Sequence, residues 1–126
     1  MKILAIDDEK DMQPLFLQRF RKEIRNKEVE LDFAHSGQDA LDFLEENGTK
    51  GRLILSDINM PGMSGFDLIK KIRSESKDSH SPKIVMITAY GNQESRNRAT
   101  KLGANDFLTK PLDFKLLKQK INIPIV

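Results

Sequence analysis

The chain has 126 residues, enough for one continuous hydrophobic core and too few for two. With 38% hydrophobic and 32% charged residues it has a globular composition, which argues against a disordered tract or a membrane-embedded chain. Its 21 basic and 19 acidic residues leave a net charge of +2, too balanced for direct nucleic-acid or membrane binding, and the absence of Cys excludes disulfides and thiolate metal sites.

In chain order, the first element is a buried strand over Ile3-Leu4-Ala5-Ile6. This apolar run is four residues long and meets Asp7-Asp8 at once, so it is neither a spanning helix nor a secretory segment, and a cytoplasmic protein is expected. Met12, Leu15, Phe16, Phe20 and Ile24 then fall on one helical stripe. Val29 to Phe33 alternates apolar and acidic residues, the pattern of a strand with one wet face near a sheet edge. A second helix follows between Ser36, a residue suited to capping its N-terminus, and Gly48, suited to its end.

Leu53-Ile54-Leu55 and Ile84-Val85-Met86-Ile87 read as central strands flanking a helix that carries Phe66, Ile69 and Ile72. Pro61-Gly62 with Gly65 reads as the turn into that helix. Between Gly91 and Lys101 the only clearly apolar position is Ala99, with Leu102 just beyond, so a fourth helix here would have a thin buried stripe. Asp106-Phe107-Leu108 supplies a short fifth strand, and Phe114, Leu117 and Ile121 a fifth helix that Pro124 stops near Asn122, leaving a short apolar tail. Strands alternating with helices imply an α/β fold, an open doubly wound parallel sheet with helices on both faces.

In such sheets ligands bind outside the C-terminal ends of the strands. Those ends carry Asp7-Asp8, Asp57, Thr88 and Lys110. Each has an ordinary reading when taken singly: a turn former, a strand threonine, a solvated lysine. Their joint occurrence on four strand ends is the functional signal. Three close carboxylates repel one another unless a cation compensates, and hard oxygen ligands suit Mg²⁺ or Mn²⁺. A phosphorylated substrate would then find neutralising partners in Lys110 and Thr88.

Asp7-Asp8, the segment Leu-Ile-Leu-Ser-Asp57-Ile-Asn-Met-Pro-Gly-Met-Ser-Gly, Thr88-Ala89 and Lys110-Pro111 resemble, in order and spacing, the pattern of response-regulator receiver domains. The resemblance covers essentially residues 1–126 and implies one domain of flavodoxin-like fold with strand order 2-1-3-4-5. It makes Asp57 the phospho-acceptor, Asp8 a direct metal ligand, Asp7 a ligand mainly through water, and the backbone carbonyl of Asn59 a further ligand. Lys110 would pair with the phosphoryl oxygens, Thr88 would move to bond the phosphoryl group, and Phe107 would turn inward behind it. Many receivers hold the bond corresponding to Lys110-Pro111 in the cis form; the residues themselves leave the isomer open.

Two positions depart from the common pattern or tune it. Phe107 stands where Tyr is frequent, so a hydroxyl-mediated readout is not expected. Asn59 and Tyr90 occupy places that in receivers set how readily water attacks the aspartyl phosphate, and the bulk of Tyr90 is expected to shield it. The implied partners are a sensor histidine kinase or a histidine phosphotransfer protein, with output through a protein surface of the fourth helix, fifth strand and fifth helix, or through a phosphorylation-dependent homodimer. On that fourth helix Arg96, Arg98 and Lys101, beside Glu94, read either as a solvated face or as part of that surface. His35 and His80 have no neighbours suited to catalysis and read as surface or loop residues.

Three other functions compete with this one. A constitutive binding module of the same fold needs no phosphorylation. An aspartate-nucleophile phosphatase would want a second Asp two residues past Asp57, where this chain has Asn59. A flavin binder would want a glycine- and hydroxyl-rich phosphate loop after the first strand, where this chain has Asp7-Asp8. The expected protein is therefore a signalling switch that catalyses only its own phosphorylation and dephosphorylation.

Overall fold

The computed structural model describes residues 1–75, 82–89 and 91–121. Among them the elements run β1 (Lys2–Ile6), α1 (Met12–Arg19), α2 (Arg21–Arg25), β2 (Glu30–Ala34), α3 (Gly37–Asn47), β3 (Arg52–Asp57), α4 (Gly65–Glu75), β4 (Lys83–Thr88), α5 (Gln93–Leu102), β5 (Asp106–Thr109) and α6 (Phe114–Lys120). The strands form one parallel sheet in the order β2-β1-β3-β4-β5, the expected doubly wound, flavodoxin-like order. Both strands expected at the edges, β2 and β5, are there.

Alternation along the strands feeds two separate apolar layers. Leu4, Ile6, Ile54, Ile84 and Met86 face α3, α4 and α5, whereas Ile3, Ala5, Leu53, Leu55, Val85 and Ile87 face α1, α2 and α6. Strand β3 is buried along its whole length, which explains its unbroken apolar run and puts its last residue, Asp57, in a largely dry place.

The stripe from Met12 to Ile24 is one face but not one helix. At Phe20 the backbone leaves the helical path (φ −102°, ψ 12°) and divides it into α1 and α2. The bend carries the fully buried Phe20 ring against Phe16, 6.1 Å away and stacked, and edge-on against Phe114 of α6. Aromatic packing across two helices thus outweighs local helical continuity, a term that periodicity in one segment does not contain.

Helix ends follow local chemistry. Ser36 Oγ accepts a 3.0 Å bond from the Asp39 N–H, and Gly48 closes α3 at φ +81°. Ser64 and Asp67 bond reciprocally at the start of α4. Asn92 and Asp113 cap α5 and α6 through the N–H groups of Ser95 and Leu116. Helix α6 ends at Lys120, with Ile121 as its cap; the expected end near Asn122 and the apolar tail lie outside the described residues.

Candidate functional site

The four strand ends singled out by the sequence meet at the C-terminal edge of the sheet. Asp57 closes β3, and just beyond it the Ile58 N–H donates to the Ile87 carbonyl of β4 while the Ile58 carbonyl accepts from the Gly65 N–H of α4. Gly65 is required here for closeness, not for an unusual φ. A Cβ on it would collide with the Asp57 carbonyl and come within 2.8 Å of Ile58 Cα. The turn before α4 uses Gly62 instead for a left-handed conformation at φ +78°.

Ligand oxygens of Asp7, Asp8 and Asp57 lie within 4.8 Å of one another. Two unit charges at that distance repel by roughly 3–4 kcal/mol at an effective dielectric near 20. One lysine answers them. Lys110 Nζ donates to Asp7 Oδ2 at 3.1 Å and stands 3.6 Å from both Asp57 Oδ2 and Glu9 Oε1. Its backbone N–H is held by the Thr88 carbonyl at 2.8 Å, which joins β5 to β4 at the site, and the Lys110–Pro111 bond is cis.

The electrostatics record the mismatch of charge. Burial, and next the charge of Asp7, push the Asp57 carboxyl from the ordinary 3.8 up to about 6, against the lowering pull of Lys110 and of the Asn59 backbone N–H. For Lys110, burial lowers the pKa, but the Asp7 hydrogen bond and the charges of Asp57, Asp7 and Glu9 outweigh it and hold the ammonium above its usual range. With three carboxylates on one lysine, the pocket has the donor set and the uncompensated negative charge that a hard divalent cation would satisfy. Its residues fit that group.

Thr88 closes β4 with 1% exposure, and Asn59 Nδ2 donates to its Oγ1 at 3.3 Å. Phe107, paired in register with Met86, is buried at 7% exposure in the layer below α5. The structure therefore gathers Asp7, Asp8, Asp57, Asn59, Thr88 and Lys110 and keeps Phe107 nearby. Tyr90 and His80 lie outside the described residues. His35 is a loop residue, as expected, but half-buried, with Nδ1 3.3 Å from the Asp7 carbonyl.

Glu9 was missed by sequence reasoning, although its place two residues after Asp7 was a usable signal. The α5 arginines, read as a solvated face or as part of a partner surface, also make contacts that neither reading contains: Arg96 and Arg98 cover the rings of Phe107 and Phe66. Their aromatic partners lie on other elements, so no local pattern announced them. One cleft, of about 570 Å³, lies elsewhere, between α3 and α4. The chemistry sits on an open sheet edge. No helix among the described residues is long and apolar enough to cross a membrane.

Comparison with known proteins agrees with this geometry. The family model "Response regulator receiver domain" matches residues 3–122. Chemotaxis protein CheY1 of Helicobacter pylori is 34% identical, over 98% of this chain and 95% of that protein. A chemotaxis protein CheY homolog of Campylobacter jejuni is 32% identical, over 96% and 89%. The crystal structure of Vibrio cholerae chemotaxis protein CheY4 superposes with a TM-score of 0.79 at 27% identity, covering 98% of both chains. Receivers of this kind bind Mg²⁺ at an acidic pocket, are generally not enzymes acting on external substrates, and work with a histidine kinase or phosphotransfer partner. With family model, relatives and fold in agreement over nearly the whole length, the chain belongs to the response-regulator receiver family and is a switch of two-component signalling.

Proposed function

We propose that the chain is a single cytoplasmic receiver domain, residues 1–126, that accepts a phosphoryl group on Asp57 from the phosphohistidine of a sensor kinase or phosphotransfer protein. An Asp57 carboxylate oxygen forms the new P–O bond as the donor P–N bond breaks, and the imidazole leaves with that electron pair and takes up a proton. The observation that carries this reading is the crowding of Asp7, Asp57 and Glu9 around Lys110, with Asp8 grouped with Asp7 and the buried Asp57.

Asp8 and Asp57 would hold Mg²⁺ or Mn²⁺ directly, Asp7 mainly through water and Asn59 through its backbone carbonyl. The cation would supply charge neutralisation to the phosphoryl oxygens. Lys110, 3.6 Å from Asp57, is near enough to pair with those oxygens as a point charge. Thr88 would turn its hydroxyl to the phosphoryl group, giving up the Asn59 amide, and Phe107, already buried, would turn inward into the space that opens behind it. Asn59 and Tyr90 would set the rate at which water reaches the aspartyl phosphate. Output would pass through the surface of α5, β5 and α6, either to a partner protein or to a second phosphorylated copy.

The test is incubation of the pure protein with acetyl phosphate, with and without Mg²⁺, beside Asp57→Asn, followed by intact mass. A Mg²⁺-dependent gain of one phosphoryl group in wild type alone is expected. No gain with acetyl phosphate or with a phosphorylated kinase would overturn the reading and leave a constitutive binding module.

A further inference from the structure

Helix α5 is poorly supplied with apolar anchors: of Gln93–Leu102 only Ala99 is fully covered. Two of its arginines contribute contacts in their place. Arg98 Cζ lies 4.3 Å from the centroid of the Phe66 ring, on the residue after Gly65 of α4. Arg96 Cζ lies 4.9 Å from the centroid of the Phe107 ring on β5. Among the described residues neither guanidinium forms an ion pair with a carboxylate.

Arg96 is the contact with consequences for the site. Phe107 stands opposite Met86 on β4, two residues before Thr88, and Thr88 Oγ1 is the hydroxyl bonded to Asn59. The guanidinium lies over the ring, whose negative face attracts it. Swinging Phe107 outward would lose that attraction. Because Phe107 has no hydroxyl, it cannot be held in an exposed rotamer by a hydrogen bond of its own. The cation above the ring is therefore the polar contact that biases its position.

We propose that Arg96 is a positioning residue that holds Phe107 buried and, through it, favours the state in which Thr88 turns to the phosphoryl group and the ring fills the space behind it. The proposal rests on the phospho-acceptor reading for its functional half and on the ring contact for its structural half. The coupling is reciprocal: a state that needs Phe107 buried tightens the Arg96 contact, and loss of the contact weakens that state. Arg96 is half-exposed and lies outside the carboxylate pocket, so its replacement leaves the phospho-acceptor and its acidic neighbours in place.

The experiment compares Arg96→Gln, which removes the charge at similar length, with Arg96→Lys, which keeps it. Phe ring signals are followed by NMR in ¹³C-Phe-labelled protein, with Phe107 assigned from Phe107→Leu. Phosphoryl uptake from acetyl phosphate with Mg²⁺ is measured by intact mass on the same proteins. In Arg96→Gln the Phe107 signals are expected to move or broaden as a second rotamer becomes populated, and initial uptake to fall about two- to fivefold, the range of one partly exposed cation–π contact. Arg96→Lys is expected to recover part of both. In a Phe107→Ala background Arg96→Gln is expected to change uptake no further, since there is no ring to hold.

Unmoved ring signals in Arg96→Gln would overturn the proposal, as would a moved ring with unchanged uptake or an undiminished effect in Phe107→Ala. If wild type itself takes up no phosphoryl group, the phospho-acceptor reading fails, while the ring spectra still decide whether Arg96 holds Phe107.

Discussion

Two partly buried lysine–carboxylate pairs sit at different places in this molecule and differ in one respect. Lys110 meets Asp7 at 3.1 Å with side-chain exposures of 18% and 12%; Lys118 of α6 meets Glu23 of α2 at 2.9 Å with 15% and 9%. Distance and burial nearly match. The company does not: Lys110 also faces Asp57 and Glu9, with Asp8 close by, whereas among the described residues Lys118 serves one carboxylate, beside the Arg19 carbonyl and the Phe20 ring. A pair balanced one to one ties helices together. A lysine outnumbered by carboxylates leaves charge for something else to neutralise, so charge stoichiometry, more than burial, separates a site from a clasp.

The largest test of this contrast is to remove each lysine in turn. Lys110→Ala is expected to slow phosphoryl uptake by about a hundredfold, the scale of losing one charged partner of a transferring group. Lys118→Ala is expected to leave uptake by the folded protein intact and to lower stability by roughly 2–4 kcal/mol, less than for a fully buried pair because both groups keep some contact with water. Intact mass and urea titration of both variants separate the two outcomes. Since Glu23 Oε2 finds no hydrogen-bond partner among the described residues, Glu23→Leu with Lys118→Met should restore most of that stability. A loss of uptake in Lys118→Ala that persists under strongly folding conditions would blur the distinction.

Next in size is the effect of the cation. Mg²⁺ at a hundredfold excess over its Kd should stabilise wild type by about 3 kcal/mol, and the thermal shift should vanish in Asp8→Asn with Asp57→Asn. The same shift in Lys118→Ala as in wild type would place binding in the acidic pocket and not at the clasp.

A smaller effect follows from pH. In metal-free protein burial, then Asp7, raises the Asp57 pKa from 3.8 to about 6, so the folded state holds this proton more tightly than the unfolded state does. The stability assigned to Asp57, taken as wild type minus Asp57→Asn in EDTA, should fall as pH rises from about 4 to about 6 and then level off. The opposite slope would mean that Lys110 governs Asp57. Below about pH 6 Mg²⁺ competes with that proton, so its affinity should weaken there. Smallest of all is Lys120→Ala, which breaks a 3.1 Å pair with Asp106 whose side chains are 33% and 34% exposed; the cost should be about 0–1 kcal/mol.

Much of this protein was legible without coordinates. Runs such as Leu53-Ile54-Leu55, the caps at Ser36 and Gly48, and the acidic or polar residue closing each central strand depend on near neighbours, and hydrophobic period and turn chemistry are local. Given alternating strands and helices, the rule that ligands sit at strand ends then collects Asp7, Asp8, Asp57, Thr88 and Lys110 with no distance measured.

What tertiary structure decided are contacts between groups far apart in the chain. The break at Phe20 packs its ring against the Phe114 ring of α6, the Glu23–Lys118 clasp joins α2 to α6, and Arg96 covers Phe107 because β5 passes beneath α5. The need for Gly at position 65 came from the Asp57 carbonyl behind it, not from its own φ. The sequence alone determined which side chains end the strands, since that follows from period and order. Only the packed chain decided which charges are matched and which are left over, because electrostatic balance depends on distance in space and not on separation along the chain.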